Sequence, residues 1–186
     1  MIETKFRFLE CLTADLRRYR STINGRPTER NGFSLFSCMF APRFAPVLLC
    51  RLAHGFHCIR LTALARIISL CNFVVFGIEI APRCRIGKGL LLPHTQGTVI
   101  GAFSIGDNAT IFQGVTLGAK EIDGDYTEER RPTLGNDVLV GAGAKLLGGI
   151  RVGNRVKVGA NAVVLREVPD DALAIGVPAI IRRTKC

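Results

Sequence analysis

The stretch LGNDVLVGAGAKLLGGIRVGNRVKVGANAVV, residues 134–164, decides the fold because its aliphatic residues recur with a period of six. Neither a helix, which repeats about every 3.6 residues, nor a strand, which alternates about every two, fits this spacing over such a length. Three short strands joined by tight corners do fit, with the aliphatic side chains pointing into a triangular prism. The inward positions in this stretch are Leu134, Val140, Leu146, Val152, Val158 and Val164.

The same period reaches back to Glu79, so residues 79–186 are predicted to form one stack of coils. Each coil takes eighteen residues, and neighbouring coils lie about 4.8 Å apart. The further inward positions are Ile80, Ile86, Leu92, Val99, Ile105, Ile111 and Leu117. Four places after an aliphatic residue a small or aliphatic one recurs, at Cys84, Ala109, Val115, Val138, Ala144, Val156 and Ala162.

Two interruptions break the period and are candidate functional features. One extra residue lies between Leu92 and Val99, in the window that contains His94. A polar segment, residues 118–133, separates Leu117 from Leu134 by 17 positions where the period requires 6. Polar insertions at the corners of such scaffolds form exposed loops, and loops on a rigid scaffold often carry function.

Residues 1–78 are predicted to form a short α-helical region before the prism. Residues 46–78 have helix-compatible spacing, with Gly55 and Gly77 as expected breaks. Between Leu61 and Ile78 the only charge is Arg66, which raises a transmembrane alternative. We favour a helix buried against the prism or other subunits, and contact with a membrane surface stays open.

The net charge of +10 is concentrated in the helical region, where eleven Lys and Arg face four Asp and Glu. The aromatic interleaving and motifs of nucleic-acid-binding proteins are missing, so no nucleic-acid partner is expected. The seven cysteines are odd in number and scattered, which predicts reduced thiols in a cytoplasmic protein. The N-terminus lacks the pattern of a signal peptide.

His94 and Glu79 are the candidate catalytic pair. Glu79 directly precedes an inward residue, and one coil of eighteen residues later the chain reaches Gly97, three residues from His94. Both side chains are therefore expected on one prism edge. There the carboxylate accepts a hydrogen bond from the Nδ1–H group, which leaves Nε2 free to act as a base. The alternatives are a corner histidine bonded to a carbonyl and an acid facing water.

The histidine count argues against a metal site. A zinc hydratase built on such a prism needs three histidine ligands, and the other two histidines, His54 and His57, belong to the helical region. A covalent mechanism has weak support, because Cys84 occupies an inward position and Cys186 a terminal tail. We therefore predict no metal and no covalent intermediate.

Several segments together resemble the left-handed β-helix of the serine acetyltransferases and of related acetyltransferases from surface-polysaccharide clusters, the colanic acid type among them. The resemblance covers about residues 46–183. It implies an acetyl-CoA-dependent O-acetyltransferase that forms a homotrimer, with the cofactor in grooves between prisms, and leaves open whether helices join two trimers. The segments are IEIAPRCRIGKGLLLPHTQGTVIG, IFQGVTLGAK, the period-six stretch and VPDDALAIGVPAIIRR.

The resemblance also implies roles for single residues. His94 takes the proton from the acceptor hydroxyl, and Glu79 orients the imidazole. The backbone amides of Gly118, Ala119 and Ala142 line the pantetheine arm and hold the developing oxyanion. Lys157 lies toward the phosphate end of the cofactor, with a solvated strand lysine as the alternative.

Departures from the serine enzymes bear on the acceptor. Pro93 stands where those enzymes have an acid that holds the substrate amine, and Arg130 and Arg131 stand where they have an Arg-His pair. An arginine can still clamp a carboxylate. These changes favour a sugar hydroxyl over free serine as the acceptor. Serine O-acetylation and a non-catalytic trimeric scaffold are the alternatives.

Overall fold

The computed structural model describes residues 2–23, 41–122 and 124–183. The helices in these ranges are α1 (Ile2–Ile23), α2 (Ala45–Cys58) and α3 (Thr62–Phe76). The strands are β1 (Ile78–Ile80), β2 (Arg85–Ile86), β3 (Thr98–Ile100), β4 (Ser104–Ile105), β5 (Thr110–Ile111), β6 (Thr116–Gly118), β7 (Thr133–Leu134), β8 (Leu139–Val140), β9 (Lys145–Leu147), β10 (Arg151–Val152), β11 (Lys157–Val158), β12 (Val163–Val164), β13 (Ala172–Ile175) and β14 (Ile180–Arg183).

The strands form three parallel sheets, which are the faces of a prism. Sheet A has the order β1-β3-β6-β9-β12, sheet B the order β2-β4-β7-β10, and sheet C contains β5, β8, β11 and β13. Each coil of the chain passes from A to B to C, and only the terminal pair β13–β14 is antiparallel. The predicted left-handed parallel β-helix is confirmed.

The interior of the prism is the main hydrophobic core. Ile111, Leu117, Val140 and Leu146 are completely buried. The small positions predicted four places after the aliphatic ones are buried as well. The core continues into the helical region, because Val47 and Cys50 of α2 belong to the same cluster.

The predicted register is wrong at one turn. Ile100, and not Val99, points into the core, and Val99 lies half-buried on the outer side of sheet A. The strand partner of Glu79 is accordingly Val99, rather than the predicted Gly97 as its equivalent one coil later. The longer turn before β3 absorbs the extra residues, and the next inward residue, Ile105, restores the period.

Polar residues stack along the corner between sheets B and C. The side-chain oxygen of Asn136 accepts the backbone N–H of Asp107 at 2.8 Å, and that of Asn154 accepts the N–H of Asn136 at 2.9 Å. Asp170 accepts from Asn154 in the same way at 2.9 Å. Each coil thereby supplies a side-chain acceptor for a backbone N–H of the coil before it. These turn amides are therefore paired, which avoids the free-energy cost of leaving them without a partner.

One of the two expected helix breaks is confirmed and the other is wrong. Gly77 has φ 64° and ends α3 as predicted, but α2 runs through Gly55 and ends at Cys58. The break falls at Arg60, which has φ 64°. A Cβ at Gly55 would lie 3.9 Å from the Phe8 ring, an ordinary van der Waals distance, so the packing of α1 beside this residue does not require a glycine.

A buried ion pair joins α1 to α2 and to the first coil. Arg51 donates to both carboxylate oxygens of Asp15, at 2.8 and 3.1 Å, and also to the carbonyls of Ile86 and Gly87. Asp15 also accepts the backbone N–H of Leu90. The side chain of Asp15 is completely buried and that of Arg51 nearly so. Each charge has therefore lost its contact with water and depends on the other for compensation.

The outer face of α3 is apolar and exposed. Ile67, Leu70, Val74 and Val75 expose between 57% and 72% of their surface. In the described ranges, no helix is both long and apolar enough to cross a membrane.

Candidate active site

His94 lies exposed at the corner where the first coil leaves sheet C and enters sheet A. The turn that carries it is tied to the junction of α3 and β1. Thr95 donates its hydroxyl to the carbonyl of Phe76 at 2.8 Å, and the backbone N–H of Gly97 donates to the carbonyl of Gly77 at 2.9 Å. These contacts fix the backbone on the C-terminal side of the imidazole.

Glu79 lies in the middle of β1, with its side chain on the outer face of sheet A. The backbone bond between Gly97 and Gly77 brings the turn of His94 to the start of this strand. The turn that carries His94 therefore lies beside the start of the strand that carries Glu79. Within the described residues no hydrogen bond or ion pair joins the two side chains, and neither side chain is committed to another partner.

The backbone amides assigned to the cofactor lie at two different corners. Ala119 follows β6 at the corner between sheets A and B, whereas Ala142 lies between sheets C and A, the same corner as His94. Both residues are half-buried, and their N–H groups donate to no acceptor within the described chain. Unpaired, accessible amides fit a ligand that presents carbonyl oxygens, as a pantetheine arm does.

Lys157 lies on sheet C, with an exposed side chain. In a triangular prism, sheet C is the face opposite the corner between sheets A and B. The outward side of Lys157 and the amide of Ala119 therefore face different sides of the prism.

The two arginines of the long loop have different surroundings. Arg130 is exposed, whereas Arg131 is half-buried, donates to the carbonyl of Gly101 at 2.8 Å and stacks on the ring of Tyr126 at 4.2 Å. Tyr126 donates its hydroxyl to the carbonyl of Ala102 at 2.5 Å. The structure thus uses Arg131 to hold the loop on the prism, and Arg130 is the more accessible of the two for a substrate carboxylate.

The sequence analysis did not predict that Tyr126 holds the loop on the prism through its contacts with Arg131 and Ala102. The available signal is that Tyr126 is the only aromatic residue in the polar segment 118–133. An aromatic ring in such a segment buries apolar surface and offers a cation–π partner to a nearby arginine. Glu128, also in this loop, forms a 2.9 Å ion pair with Arg151 on the surface of the prism.

Histidines 54 and 57 lie on α2, apart from the candidate site. Among the residues that the structure describes, no three His, Cys, Asp or Glu side chains cluster as a metal site requires.

Comparison with known proteins points in one direction. Residues 131–166 match the family model described as bacterial transferase hexapeptide (six repeats). A serine acetyltransferase of Helicobacter pylori (strain ATCC 700392 / 26695) is 46% identical over 154 residues, which cover 82% of this chain and 87% of the relative. A serine acetyltransferase of Synechococcus elongatus is 41% identical over 161 residues, which cover 86% of this chain. The match spans only 64% of the length of the Synechococcus protein.

Solved structures show the same likeness. The crystal structure of Neisseria gonorrhoeae serine acetyltransferase superposes with a TM-score of 0.84 at 31% identity, over 100% of this chain and 69% of that one. A structure of the Neisseria enzyme in complex with serine gives a TM-score of 0.79 at 32% identity, over 97% and 71%. A serine acetyltransferase in complex with CoA gives 0.80 at 30% identity, over 97% and 72%.

Proposed function

The chain belongs to the serine acetyltransferase family, and on that premise we propose that it transfers the acetyl group of acetyl-CoA to the side-chain hydroxyl of serine. It is an acyltransferase, with acetyl-CoA as cosubstrate. The observation that supports the proposal best is the exposed His94, whose turn is bonded to the residue just before the strand of Glu79 and lies at the same corner of the prism as the unpaired amide of Ala142.

His94 acts as the general base. Its Nε2 accepts the hydroxyl proton of serine while the serine oxygen bonds to the thioester carbon, and the protonated imidazole then gives this proton to the departing sulfur. Glu79 accepts a hydrogen bond from the Nδ1–H group in the reacting complex and stabilises the charged imidazole. The amide groups of Ala119 and Ala142 donate to the pantetheine arm and to the developing oxyanion.

Serine replaces the sugar hydroxyl as the proposed acceptor. The relatives and structures compared above are serine acetyltransferases, and they give no support to a polysaccharide acceptor. Pro93 still differs from the acid found in the serine enzymes, so a group other than the side chain at position 93 has to hold the serine amine. Arg130, exposed in the long loop, is the proposed partner of the serine carboxylate.

The site is proposed to form between copies of the chain in a homotrimer. The support is geometric, because Lys157 and Ala119 occupy opposite sides of one prism yet are both assigned to the cofactor. The mass of the protein in solution tests this assembly. A trimer mass supports it, and a monomer that is fully active contradicts it.

The acceptor is tested by following the loss of thioester absorbance of acetyl-CoA with serine, homoserine and a panel of sugars. Turnover with serine well above the panel supports the proposal. Turnover with a sugar but not with serine would instead support a sugar hydroxyl of a polysaccharide as the acceptor. The absence of turnover with every acceptor would support a non-catalytic trimeric scaffold. An Arg130→Ala variant should raise the KM for serine much more than the KM for acetyl-CoA, with Arg166→Ala as an exposed control.

A further inference from the structure

A second pair of reactive groups lies on α2, away from His94. Cys58 and His54 are four residues apart on the helix, which places them on one face. The Sγ atom of Cys58 is 3.5 Å from Nε2 of His54, within hydrogen-bonding range for sulfur. On the other side of the ring, Nδ1 lies 2.9 Å from the carbonyl oxygen of Pro82. The three groups form a chain of thiol, imidazole and carbonyl.

The carbonyl of Pro82 fixes the tautomer of the imidazole. A carbonyl oxygen only accepts hydrogen bonds, so the neutral ring carries its proton on Nδ1 and donates it to Pro82. Nε2 is then an acceptor that faces the thiol of Cys58. Burial lowers the pKa of His54, and the charges of Arg51 and His57 act in the same direction, so the ring is neutral at neutral pH.

Three further described cysteines, Cys50, Cys84 and Cys71, lack this combination of exposure and a base. Cys50 and Cys84 are buried, and burial raises the pKa of the first thiol to about 11 and of the second to about 12. Cys71 is exposed on α3, but within the described residues no imidazole lies against it. Cys58 is exposed as well and differs from Cys71 by its contact with His54.

We propose that Cys58 is a site of thiol modification by small disulfides, activated by His54. The arrangement is that of an activated nucleophile, with a base in reach of the thiol and a third group that orients the base. Thiolates, and not thiols, attack disulfides, so a neighbouring acceptor for the proton accelerates the reaction. The proposal involves neither His94 nor acetyl-CoA, and it stands or falls independently of the acetyl transfer.

The exchange is balanced in atoms and electrons. The thiol proton of Cys58 moves to Nε2 of His54, and Sγ attacks one sulfur of the small disulfide. A new bond forms between Sγ and that sulfur while the original disulfide bond breaks. The departing thiolate takes the proton from Nε2 and leaves as a free thiol, so His54 returns to its starting tautomer.

The test uses the whole protein and hydroxyethyl disulfide as the probe. After quenching and digestion with trypsin, Cys58 falls in the peptide of residues 52–60 and Cys71 in that of residues 67–83, so mass spectrometry follows each thiol separately. We expect Cys58 to react faster than Cys71 by on the order of ten-fold, below the ~10² to 10⁴ of a base in an evolved active site.

Two variants separate activation from exposure. His54→Gln removes the base, and the rate at Cys58 should then fall to about that of Cys71, whereas His57→Gln on the same helix should leave it unchanged. Circular dichroism and the unfolding temperature establish that each variant is folded. If His54→Gln does not fold, the ratio of the two rates in the unaltered protein decides. Equal rates at Cys58 and Cys71, or a rate at Cys58 that is indifferent to a folded His54→Gln variant, overturn the proposal.

Discussion

Coils of the prism stack through one continuous apolar interior, whereas the seam between α1 and the first coil combines a small apolar cluster, which includes Leu16 and Leu91, with buried charged groups. Within the prism, Ile100, Leu117 and Leu146 follow one another along sheet A, all of them completely buried. At the seam with α1, Arg51 is divided between the Asp15 carboxylate and two backbone carbonyls. Apolar stacking tolerates small losses, but a buried charge that loses its partner is left without compensation. The helical seam should therefore be the more fragile contact to single substitutions.

Removing one partner of the buried pair is the largest effect that we predict on stability. Asp15→Ala leaves Arg51 buried without its carboxylate and takes the acceptor from Leu90, which should cost about 3–5 kcal/mol. Urea unfolding followed by circular dichroism measures this loss. Glu10→Ala, which removes the exposed partner of Lys88, is the control and should leave stability nearly unchanged. Equal losses in the two variants would contradict the contrast between the regions.

The inward position in β3 gives the matching test for the prism. Ile100→Ala removes a completely buried side chain and should cost about 2–5 kcal/mol, whereas Val99→Ala on the outer side should cost much less. The pair also checks the corrected register directly. If Val99→Ala were the more destabilising change, Val99 would be the inward residue, as the period of six predicts, and the observed register of β3 would be wrong.

This register shows how far the sequence predicts the structure. The period of six reveals the prism because every inward position obeys the same steric rule, and Val140, Leu146, Val152 and Val158 all lie where it puts them. The period says nothing about where a turn stores extra residues, so it misplaces Val99. The conformation of this turn depends on contacts between the prism and the helical region, such as the hydrogen bond from the hydroxyl of Thr95 to the carbonyl of Phe76. Such contacts follow no sequence repeat.

The candidate site was predictable to a similar extent. The coil length predicts that His94 lies near β1, although it misplaces the partner of Glu79, which is Val99. The use of Arg131 to hold the loop, in contrast, depends on Tyr126 and on the carbonyl of Gly101. The ion pair between Asp15 and Arg51 was equally invisible, because residues 36 positions apart in helices carry no spacing signal.

A smaller effect is expected at the polar corner of the prism. Asn136→Ala removes the acceptor for the N–H of Asp107 and should cost about 1 kcal/mol, the usual net value of one hydrogen bond. Asn136→Asp keeps a side-chain oxygen at this place and should restore most of the loss. Thermal unfolding of both variants measures the difference, and an equal loss in both would show that the oxygen is not what stabilises the corner.

The smallest effect concerns acid. Hydrogen bonds from the side chain and backbone of Asn154 hold the pKa of Asp170 below its usual 3.8. Because the folded pKa is the lower one, the stabilisation is present above pH 3.8 and is lost as the pH falls through the folded value. Asp170→Asn does not titrate, so the advantage of the unaltered protein over this variant should shrink in acid. Thermal unfolding of both proteins from neutral pH downward measures this difference in stability. A difference that stays constant with pH would show that the pKa of Asp170 is not lowered in the folded state.

We propose that the exposed imidazole at the corner of the first coil is the base in acetyl transfer to serine. The most direct test of this role is the kcat of His94→Ala with saturating acetyl-CoA and serine, together with the affinity of the variant for CoA. We predict a fall in kcat of about 10² to 10⁴ with CoA binding retained, and a near-normal kcat for His57→Ala. A His94→Ala variant that acetylates serine at the rate of the unaltered protein would contradict the account.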